Sequence, residues 1–284
     1  MSMLTQAEQM QKTAQKLLAD GAVQMVIGYA DTDVEGMGAP VFITDAADAA
    51  RLVWNQRCVP NLASYLIGRA GKTAVVAKPC DVRAIVNLVV ENQLSRDDVV
   101  IIGMDCPGMQ NEKGEELKAC GECRVNTPPV FDVHVENADV KPKNADKKQA
   151  EKDLNESLER FTEEMEKCIL CFSCRQACYG CYCQTCFMDR GVPSWQADNP
   201  DMGSKMLYHL GRAMHLSGRC VECGACENAC ASGVDVRYLI REVTGFVDEL
   251  YGYNAGLSLD ETPAMLTYRP DDKEVGFLGG EAHG

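Results

Sequence analysis

The spacing of apolar residues predicts short strands and helices in the first half of the chain. Residues 73–77 and 98–104 are apolar runs with the length of buried strands, and the stretch between them, from Asp81 to about residue 93, has helical periodicity. Strand, helix and strand of these lengths predict a crossover unit with parallel pairing. Thr5 and Glu8 predict a capping box for a first helix through about residue 18. Weaker patterns predict strands at 22–29 and 41–44 and short helices at 45–54 and 61–70. This half is therefore expected to be an α/β domain with a short parallel sheet.

The second half has helical periodicity. Residues 153–167 place apolar side chains at spacings of three and four, as an amphipathic helix does. Residues 205–216 predict another helix, and Asp235 can cap a third that continues to about residue 250. Residues 135–152 are charged and poor in apolar side chains, which predicts a solvated linker between the halves. Residues 251–284 have little periodicity and predict an extended tail, lying along this domain or a partner or disordered.

Eight cysteines repeat one spacing twice. The spacing is C-x2-C-x2-C-x3-C, first at Cys168, Cys171, Cys174 and Cys178 and again at Cys220, Cys223, Cys226 and Cys230. Three thiolates in a tight loop can reach three corners of an iron–sulfur cube, and in two-cluster ferredoxins the fourth cysteine of each motif ligates the other cluster. The spacing therefore predicts two [4Fe–4S] clusters, held by Cys168, Cys171, Cys174 and Cys230 and by Cys220, Cys223, Cys226 and Cys178.

These cysteines have three alternative uses. Structural zinc usually takes two C-x2-C pairs, which fits triads closed by a fourth cysteine less well than a cube does. Disulfides need an oxidising compartment. Cys174, Cys178 and Cys181 have the C-x3-C-x2-C spacing of radical-SAM enzymes, but no series of βα units follows them. Iron–sulfur clusters are the preferred interpretation.

Helices that lead into and out of both motifs resemble the α-helical ferredoxin domains of heterodisulfide reductase and succinate dehydrogenase iron–sulfur subunits. The resemblance implies a mainly α-helical two-cluster ferredoxin domain. The domain boundaries expected from the whole pattern are 1–134 for the α/β domain, 135–152 for the linker, 153–250 for the ferredoxin-like domain and 251–284 for the tail.

A third group of cysteines falls on the predicted crossover unit. Cys80 follows the first strand at the start of the helix, and Cys106 follows the second strand. Cys120 and Cys123 form a C-x2-C pair in the next loop. Ligands bind at the carboxyl ends of parallel strands, and a helix N-terminus favours a thiolate. We therefore predict a third metal site here; the alternative is two structural cysteines with half of a zinc knuckle.

The segments AVVAKPCDVRAI, VVIIGMDC and ACGEC resemble the beta subunits of hydrogenases and formate dehydrogenases that reduce the deazaflavin coenzyme F-420. The resemblance covers about residues 21–133, and it implies a [4Fe–4S] cluster on the four cysteines of the third group beside a flavin. The family has glycine-rich flavin-binding segments where this chain has GAVQMVIGYAD and RVNTPPVFDVHVENA. Both segments depart from the family pattern, so FAD is a doubtful cofactor here.

Four cysteines remain outside these groups. Cys181, Cys183 and Cys186 extend the first motif, and Cys58 lies far upstream. Together, or with Cys178, they could bind a fourth cluster or a zinc ion. Alternatively, one of the three could be the fourth ligand of the second cluster. The spacing leaves these alternatives open.

Composition narrows the class of function. The net charge of −14 argues against nucleic-acid binding, which needs clustered lysine and arginine. The sequence has no apolar run of membrane-span length and no signal-peptide core, so we expect a cytoplasmic protein. Sixteen cysteines suit a reducing compartment.

The sequence predicts an electron-transfer subunit of an anaerobic oxidoreductase complex. No nucleophile or acid–base pair stands out, so no catalytic residue is assigned, and His209 and His215 are interpreted as helix-surface or packing residues. The resemblance implies partners in a hydrogenase, a formate dehydrogenase or a heterodisulfide-reductase-type flavoprotein. The alternative functions are a flavin-containing subunit that itself reacts with a deazaflavin or nicotinamide, and a zinc scaffold.

Overall fold

The computed structural model describes residues 5–33, 37–143, 154–189 and 201–266. The first half contains helices α1 to α3 and strands β1 to β5, and the second contains helices α4 to α8. In chain order the elements are α1 Gln6–Ala19, β1 Met25–Asp31, β2 Gly38–Ile43, β3 Thr73–Ala77, α2 Pro79–Val90, β4 Val99–Met104, α3 Lys118–Gly121, β5 Val133–Val135, α4 Leu154–Lys167, α5 Ser173–Gln176, α6 Met202–His215, α7 Ala225–Asn228 and α8 Arg237–Tyr251. Short 3-10 helices lie at Ala46–Arg51, Leu62–Leu66, Arg96–Asp98, Phe187–Asp189 and Ala264–Leu266.

The sheet has five strands in the order β2-β1-β3-β4-β5. Strands β1, β3, β4 and β5 are parallel, but β2 runs antiparallel to β1 at the edge. The prediction of an α/β domain is confirmed, while the predicted parallel sheet is in fact mixed. Few residues separate β1 from β2, and a connection that short permits only antiparallel pairing.

Two of the predicted helix caps are wrong. Helix α2 begins at Pro79 with Lys78 as its N-cap, and the Asp81 carboxylate accepts from the Lys78 N–H at 3.2 Å. Proline suits the first helical position because its missing N–H has no intrahelical partner there. Helix α8 begins at Arg237 without a side-chain cap, since the carboxylate of Asp235 instead accepts from Lys118 at 2.6 Å. The capping box at Thr5 is confirmed.

Helices cover both faces of the sheet. On one face, Met10 and Ala14 of α1 pack with Val26, Val76 and Met104. On the other face lie α2 and the 3-10 helix Leu62–Leu66, packed against the alternate strand residues. The alternation follows from the strand period of two, which sends neighbouring side chains to opposite faces. The sheet is therefore buried between two apolar layers.

The second half is built around α6, which packs against α4 and α8. Helices α5 and α7 are single turns, and each contains the third cysteine of its motif. No strand occurs between residues 154 and 266 in the ranges described. In the parts of the chain that the structure describes, every helix is too short or too polar to span a lipid bilayer.

The two halves share one apolar core. Tyr179 and Val221 of the second half are buried together with side chains of α2. The chain after α8 returns to the first half, because Nε of Arg83 donates to the carbonyl of Ala255 at 3.0 Å. The first residues of the predicted tail thus pack on α2, while residues 267–284 lie outside the described residues.

Ion pairs also join the halves. Glu91 accepts from Arg219 at 2.6 Å, and Glu122 accepts from Arg237 at 2.6 Å. Val135 is buried as the last residue of β5, so the first residue of the predicted linker belongs to the sheet. The strand was missed because it has only three residues. Residues 144–152 of the linker lie outside the described residues.

Candidate metal centres

The two cysteine motifs repeat in backbone conformation as well as in sequence. In the first loop Leu170 and Phe172 have positive φ angles of 52° and 60°; in the second, the equivalent Glu222 and Gly224 have 58° and 74°. In each loop the N–H of the first of these residues donates to the Sγ of the leading cysteine at 3.4 Å. Alternating right- and left-handed residues turn successive N–H groups towards one side, where they favour an anion. Both loops are therefore suited to an anionic group between their cysteines.

The first predicted cluster site is a small cavity. All four predicted ligands line it: Cys168, Cys171, Cys174 and Cys230. Burial raises the pKa of Cys168, and the charges of Cys174 and Cys230 act in the same direction. Cys171 is exposed, and a hydrogen bond from Ser173 lowers its pKa. The structure thus brings together the cysteines that spacing assigned to one cluster, including the remote Cys230.

The second predicted cluster site lies where the helical half meets the α/β half. Cys178 and Cys220 pack against Ala213 and Leu216, and Cys223 packs against the core that the two halves share. Burial raises the pKa of Cys220, and the charges of Cys226, Cys223 and Cys178 act in the same direction. Burial also raises the pKa of Cys223 to about 11 and that of Cys226 to about 12. Thiols this buried become thiolates only where positive charge compensates them. Metal ions supply such charge, so the donor set fits a thiolate-bound metal group.

The third group lines a cavity at the carboxyl edge of the sheet. Cys80 is the second residue of α2, Cys106 follows β4, Cys120 lies in α3 and Cys123 follows it; all four line the cavity. Burial raises the pKa of Cys80 and brings that of Cys106 to about 12. The loops after β3 and β4 meet here because the two strands are parallel neighbours.

The second motif forms one wall of this sheet-edge cavity. Val221, Glu222 and Cys223 line it together with the four cysteines of the sheet edge. A Cβ added to Gly224 would lie only 2.6 Å from the Cβ of Ala119, the residue before Cys120. The sheet edge and the second motif are therefore in direct contact.

The remaining cysteines separate into two places. Cys181, Cys183 and Cys186 line one cavity of the second half, together with Arg175, Arg212 and Arg219. The neighbouring thiol of Cys178 donates a hydrogen bond that lowers the pKa of Cys181 to about 7. Cys58 is buried in the first half, where its thiol donates to the carbonyl of Val53 at 3.8 Å. The structure thus does not bring Cys58 to the other three.

None of the sixteen cysteines forms a disulfide, and all lie in the described ranges. Across those ranges, no three His, Cys, Asp or Glu side chains converge closely enough to hold a single metal ion. Thiolates that bind a four-iron cube lie at its separate corners. They therefore do not come as close together as the ligands of a single metal ion do.

Helix α6 supplies polar groups that sequence reasoning did not assign to the sites. The ring Nε2 of His209 lies 3.3 Å from the Sγ of Cys168, and the hydroxyl of Tyr208 lies 3.4 Å from the Sγ of Cys174. Burial lowers the pKa of His209 to about 4. Nη2 of Arg212 donates to the carbonyl of Cys174 at 3.1 Å. The available signal was the placement of these residues on one side of an amphipathic helix.

A buried ion pair lies beside the sheet-edge cysteines. Nζ of Lys78 donates to the carboxylate of Asp81 at 2.9 Å, and it also contacts the hydroxyl of Tyr29 and the carbonyl of Pro60. The side chains of Lys78 and Asp81 are 2% and 0% exposed. The charge of Lys78 acts to lower the pKa of the Cys80 thiol, but this cation is already paired with the carboxylate of Asp81.

The fold and the cysteine groups define a cysteine-rich α/β protein with a helical second half. No protein-family model matches the chain. The chain is 24% identical to F420-dependent formate dehydrogenase subunit beta of Methanocaldococcus jannaschii, over 85% of this chain and 88% of that protein. It is 36% identical to F420-dependent formate dehydrogenase 1 subunit beta of Methanococcus maripaludis over 24% of this chain and 19% of that protein. These similarities confirm the resemblance to the beta-subunit family of F420-reducing enzymes.

Proposed function

We propose that this chain is an iron–sulfur electron-transfer subunit of a multi-subunit oxidoreductase. The observation that carries the proposal is the arrangement of twelve cysteines in three neighbouring groups of four. The first two groups have the cross-ligated pattern of two-cluster ferredoxins, and the third lies at the carboxyl edge of a parallel sheet. Bound [4Fe–4S] clusters supply one-electron transfer.

The ligands follow from the groups. One cluster is assigned to Cys168, Cys171, Cys174 and Cys230, a second to Cys178, Cys220, Cys223 and Cys226, and a third to Cys80, Cys106, Cys120 and Cys123. The αL positions in both motif loops and the raised pKa values of the buried thiols support this assignment. The N–H groups of Leu170 and Glu222 already donate to cysteine sulfur, as cluster-binding loops require.

The three groups follow one another through the molecule. Cys223 lies in the wall of the sheet-edge cavity, so the third group adjoins the second. Cys174 and Cys178 lie one turn apart around α5, so the second group adjoins the first. This contiguous series supports a relay that passes electrons between one partner at the sheet-edge group and another at the first motif group.

The partners are proposed from the relatives. Both are named as beta subunits of formate dehydrogenases, which implies other subunits. We infer that this chain assembles with redox subunits of a formate dehydrogenase, a hydrogenase or a heterodisulfide-reductase-type flavoprotein. The chemistry of substrates is assigned to those subunits, and no catalytic residue is assigned to this chain.

The second candidate function is a flavin-containing subunit that reacts with a deazaflavin or nicotinamide itself. The similarity over 88% of a relative named F420-dependent favours it. Acid denaturation of purified protein distinguishes the two functions. Release of a yellow fluorescent cofactor supports the flavin subunit, and a colourless supernatant from iron-replete protein supports the relay.

Iron and sulfide analysis tests the proposed function directly. Protein reconstituted without oxygen is expected to bind about twelve iron and twelve sulfide ions per chain, because each cube holds four of each. About sixteen of each would add a cluster at the cavity of Cys181, Cys183 and Cys186. Fewer than about eight iron ions, or zinc in place of iron, contradicts the proposal.

A further inference from the structure

Arg212 is a buried guanidinium between the cysteines of the two motifs. It lies on α6, and only 3% of the residue is exposed. Its Nη2 donates to the carbonyl of Cys174 at 3.1 Å, and the nearby α6 residue Ala213 and Leu216 after the helix pack against Cys178 and Cys220. The charges of Cys178, Cys226, Cys181 and Cys174 act on the guanidinium. Cys174 belongs to the first predicted cluster, and Cys178 and Cys226 belong to the second. The guanidinium therefore faces both motif sites at once.

The positive charge of Arg212 has no carboxylate partner among the described residues. Its Nη2 donates to the carbonyl of Cys174, and the guanidinium lies beside the thiol of Cys181, whose pKa it helps to lower. Nε and Nη1 are buried with no carbonyl or carboxylate partner in the same part of the chain. A buried guanidinium without a counter-charge destabilises the fold. Thiolate-bound clusters carry negative charge, and both motif sites lie where they would compensate this cation.

Two other buried cations of this molecule are neutralised by carboxylates, and the buried Arg83 donates through Nε and Nη1 to the carbonyls of Ala255 and Val221. Lys78 pairs with Asp81 at 2.9 Å, and Arg237 pairs with Glu227 at 2.9 Å. The difference indicates that the charge of Arg212 is directed at the motif sites.

We propose that the charge of Arg212 raises the reduction potentials of both motif clusters together. The proposal rests on the proposed function, since it requires that the clusters are present. A cluster that accepts one electron becomes more negative, and a nearby cation in a buried environment stabilises that reduced form. Arginine stays protonated in proteins, so the effect is permanent. Because one side chain faces both sites, one substitution affects both clusters. The sheet-edge cluster, beside the neutral pair of Lys78 and Asp81, is affected least.

A redox titration of the reconstituted full chain tests the proposal. Dithionite supplies the electrons, and electron paramagnetic resonance follows each reduced cluster. In Arg212→Gln the two motif signals are expected at more negative potentials than in the wild type, with the sheet-edge signal unmoved. In Arg212→Lys, which keeps the charge, both signals stay nearer the wild type. The control is Arg160→Gln, which removes a 45%-exposed cation of the same half and leaves all potentials unchanged.

The outcomes separate this proposal from the proposed function. A wild-type chain without clusters contradicts the proposed function. Clusters whose potentials are the same in the wild type and in Arg212→Gln, or that move equally in the glutamine and lysine variants, overturn the tuning role. If Arg212→Gln does not bind iron, Arg212→Met serves as the second neutral variant. If neither neutral variant binds iron, the arginine is needed for assembly, and the tuning role is likewise overturned.

Discussion

The sheet edge and the helical half bring cysteines together by different means. At the sheet edge, the four thiols come from three separate segments and meet only because β3 and β4 are neighbours and α3 folds back on them. In each motif of the helical half, three thiols lie on one short loop whose conformation is set by two αL residues. The sheet-edge site therefore depends on the whole α/β fold, whereas each motif loop is largely a local structure.

The two regions also differ in charge. Beside the sheet edge, Lys78 is paired with Asp81 and Arg83 donates to two carbonyls, whereas Arg212 in the helical half has two buried nitrogen atoms with no carbonyl or carboxylate partner among the described residues. A buried pair stabilises the fold only while both members are present. Stability and site chemistry are thus separable: we expect Lys78 to matter mainly for stability and Arg212 mainly for the clusters.

The largest expected effect is the loss of single clusters from either region. Cys106→Ser and Cys223→Ser should each lower the iron content by about four per chain, since each removes a ligand from a different cube. Electron paramagnetic resonance should show that the other clusters remain. Cys58→Ala is the control, because Cys58 lines none of the three cysteine cavities described above and its thiol donates to the carbonyl of Val53, so its loss should leave the iron content unchanged. Equal iron in all three variants would make the ligand assignment wrong.

The next largest effect concerns the ion pair at the sheet edge. Lys78→Met leaves the carboxylate of Asp81 buried without its cation, which should lower the free energy of unfolding by about 3–5 kcal/mol. Anaerobic urea unfolding measures the change. The matched control is Arg51→Met. Arg51 and Asp48 form another ion pair at the same spacing, but their side chains are 60% and 52% exposed. Exposed pairs contribute about 0–1 kcal/mol. Similar losses in both variants would contradict the structural role of Lys78.

A smaller effect is expected where the two regions touch. Gly224→Ala places a Cβ 2.6 Å from the Cβ of Ala119, so the second motif and the loop of Cys120 must move apart. We expect the free energy of unfolding to fall by about 1–3 kcal/mol in addition to the effect of backbone strain. The iron content at the sheet edge should also fall. The control is Gly233→Ala, which has a similar positive φ but no atom within 4 Å of the new Cβ. If both variants lose the same stability, the close contact has no energetic consequence.

The smallest effect should come from an ion pair that joins the regions. The carboxylate of Asp235 accepts from Lys118 and Arg160. Although burial acts to raise its pKa, the hydrogen bond from Lys118 and the surrounding charges lower it to about 2. A carboxyl with a lowered folded-state pKa stabilises the fold above its unfolded value of about 3.9 and loses that contribution as the pH falls towards the folded value.

Asp235→Asn should therefore lower the free energy of unfolding by about 1 kcal/mol at neutral pH. Urea unfolding between pH 5 and pH 8 is expected to give a constant difference from the wild type, because both pKa values lie below this range. A difference that changes across this range would contradict the assigned pKa direction. Lys113→Gln, a substitution of a cation on the exposed loop before α3, is the control for a general change in charge.

The sequence predicted best those features that depend on neighbouring residues. The motif ligands follow from spacing within one loop, and β3 was predicted with its observed bounds, because a short apolar run bounded by turns has few alternatives. The start of α2 was misplaced at Asp81, since the proline at position 79 fits the first turn and moves the cap to Lys78. Aspartate favours the N-cap position and proline favours the first helical position. The restricted backbone of Pro79 fits the first turn, so the helix begins there.

The features that the sequence did not predict depend on distant contacts. Strand β5 has three residues and is a strand only because it pairs with β4. The periodicity of α6 predicts an amphipathic helix but does not distinguish a surface arginine from a buried one, so Arg212 had no signal of its own. Phe172 and Gly224 occupy equivalent loop positions with positive φ, and the contact of Gly224 with Ala119 gives the second loop an additional steric reason for glycine.

The return of the chain to α2 after α8 has a consequence for how the molecule could be produced. Arg83 holds the carbonyl of Ala255, and a Cβ on Gly256 would lie 2.0 Å from the carbonyl oxygen of Arg83, so the two surfaces are in close contact. The pair of Glu91 with Arg219 adds a second connection. Two separately synthesised polypeptides, divided between residues 143 and 154, would therefore retain the surfaces needed to reassemble. The helical half could then be isotopically labelled or loaded with iron independently of the α/β half.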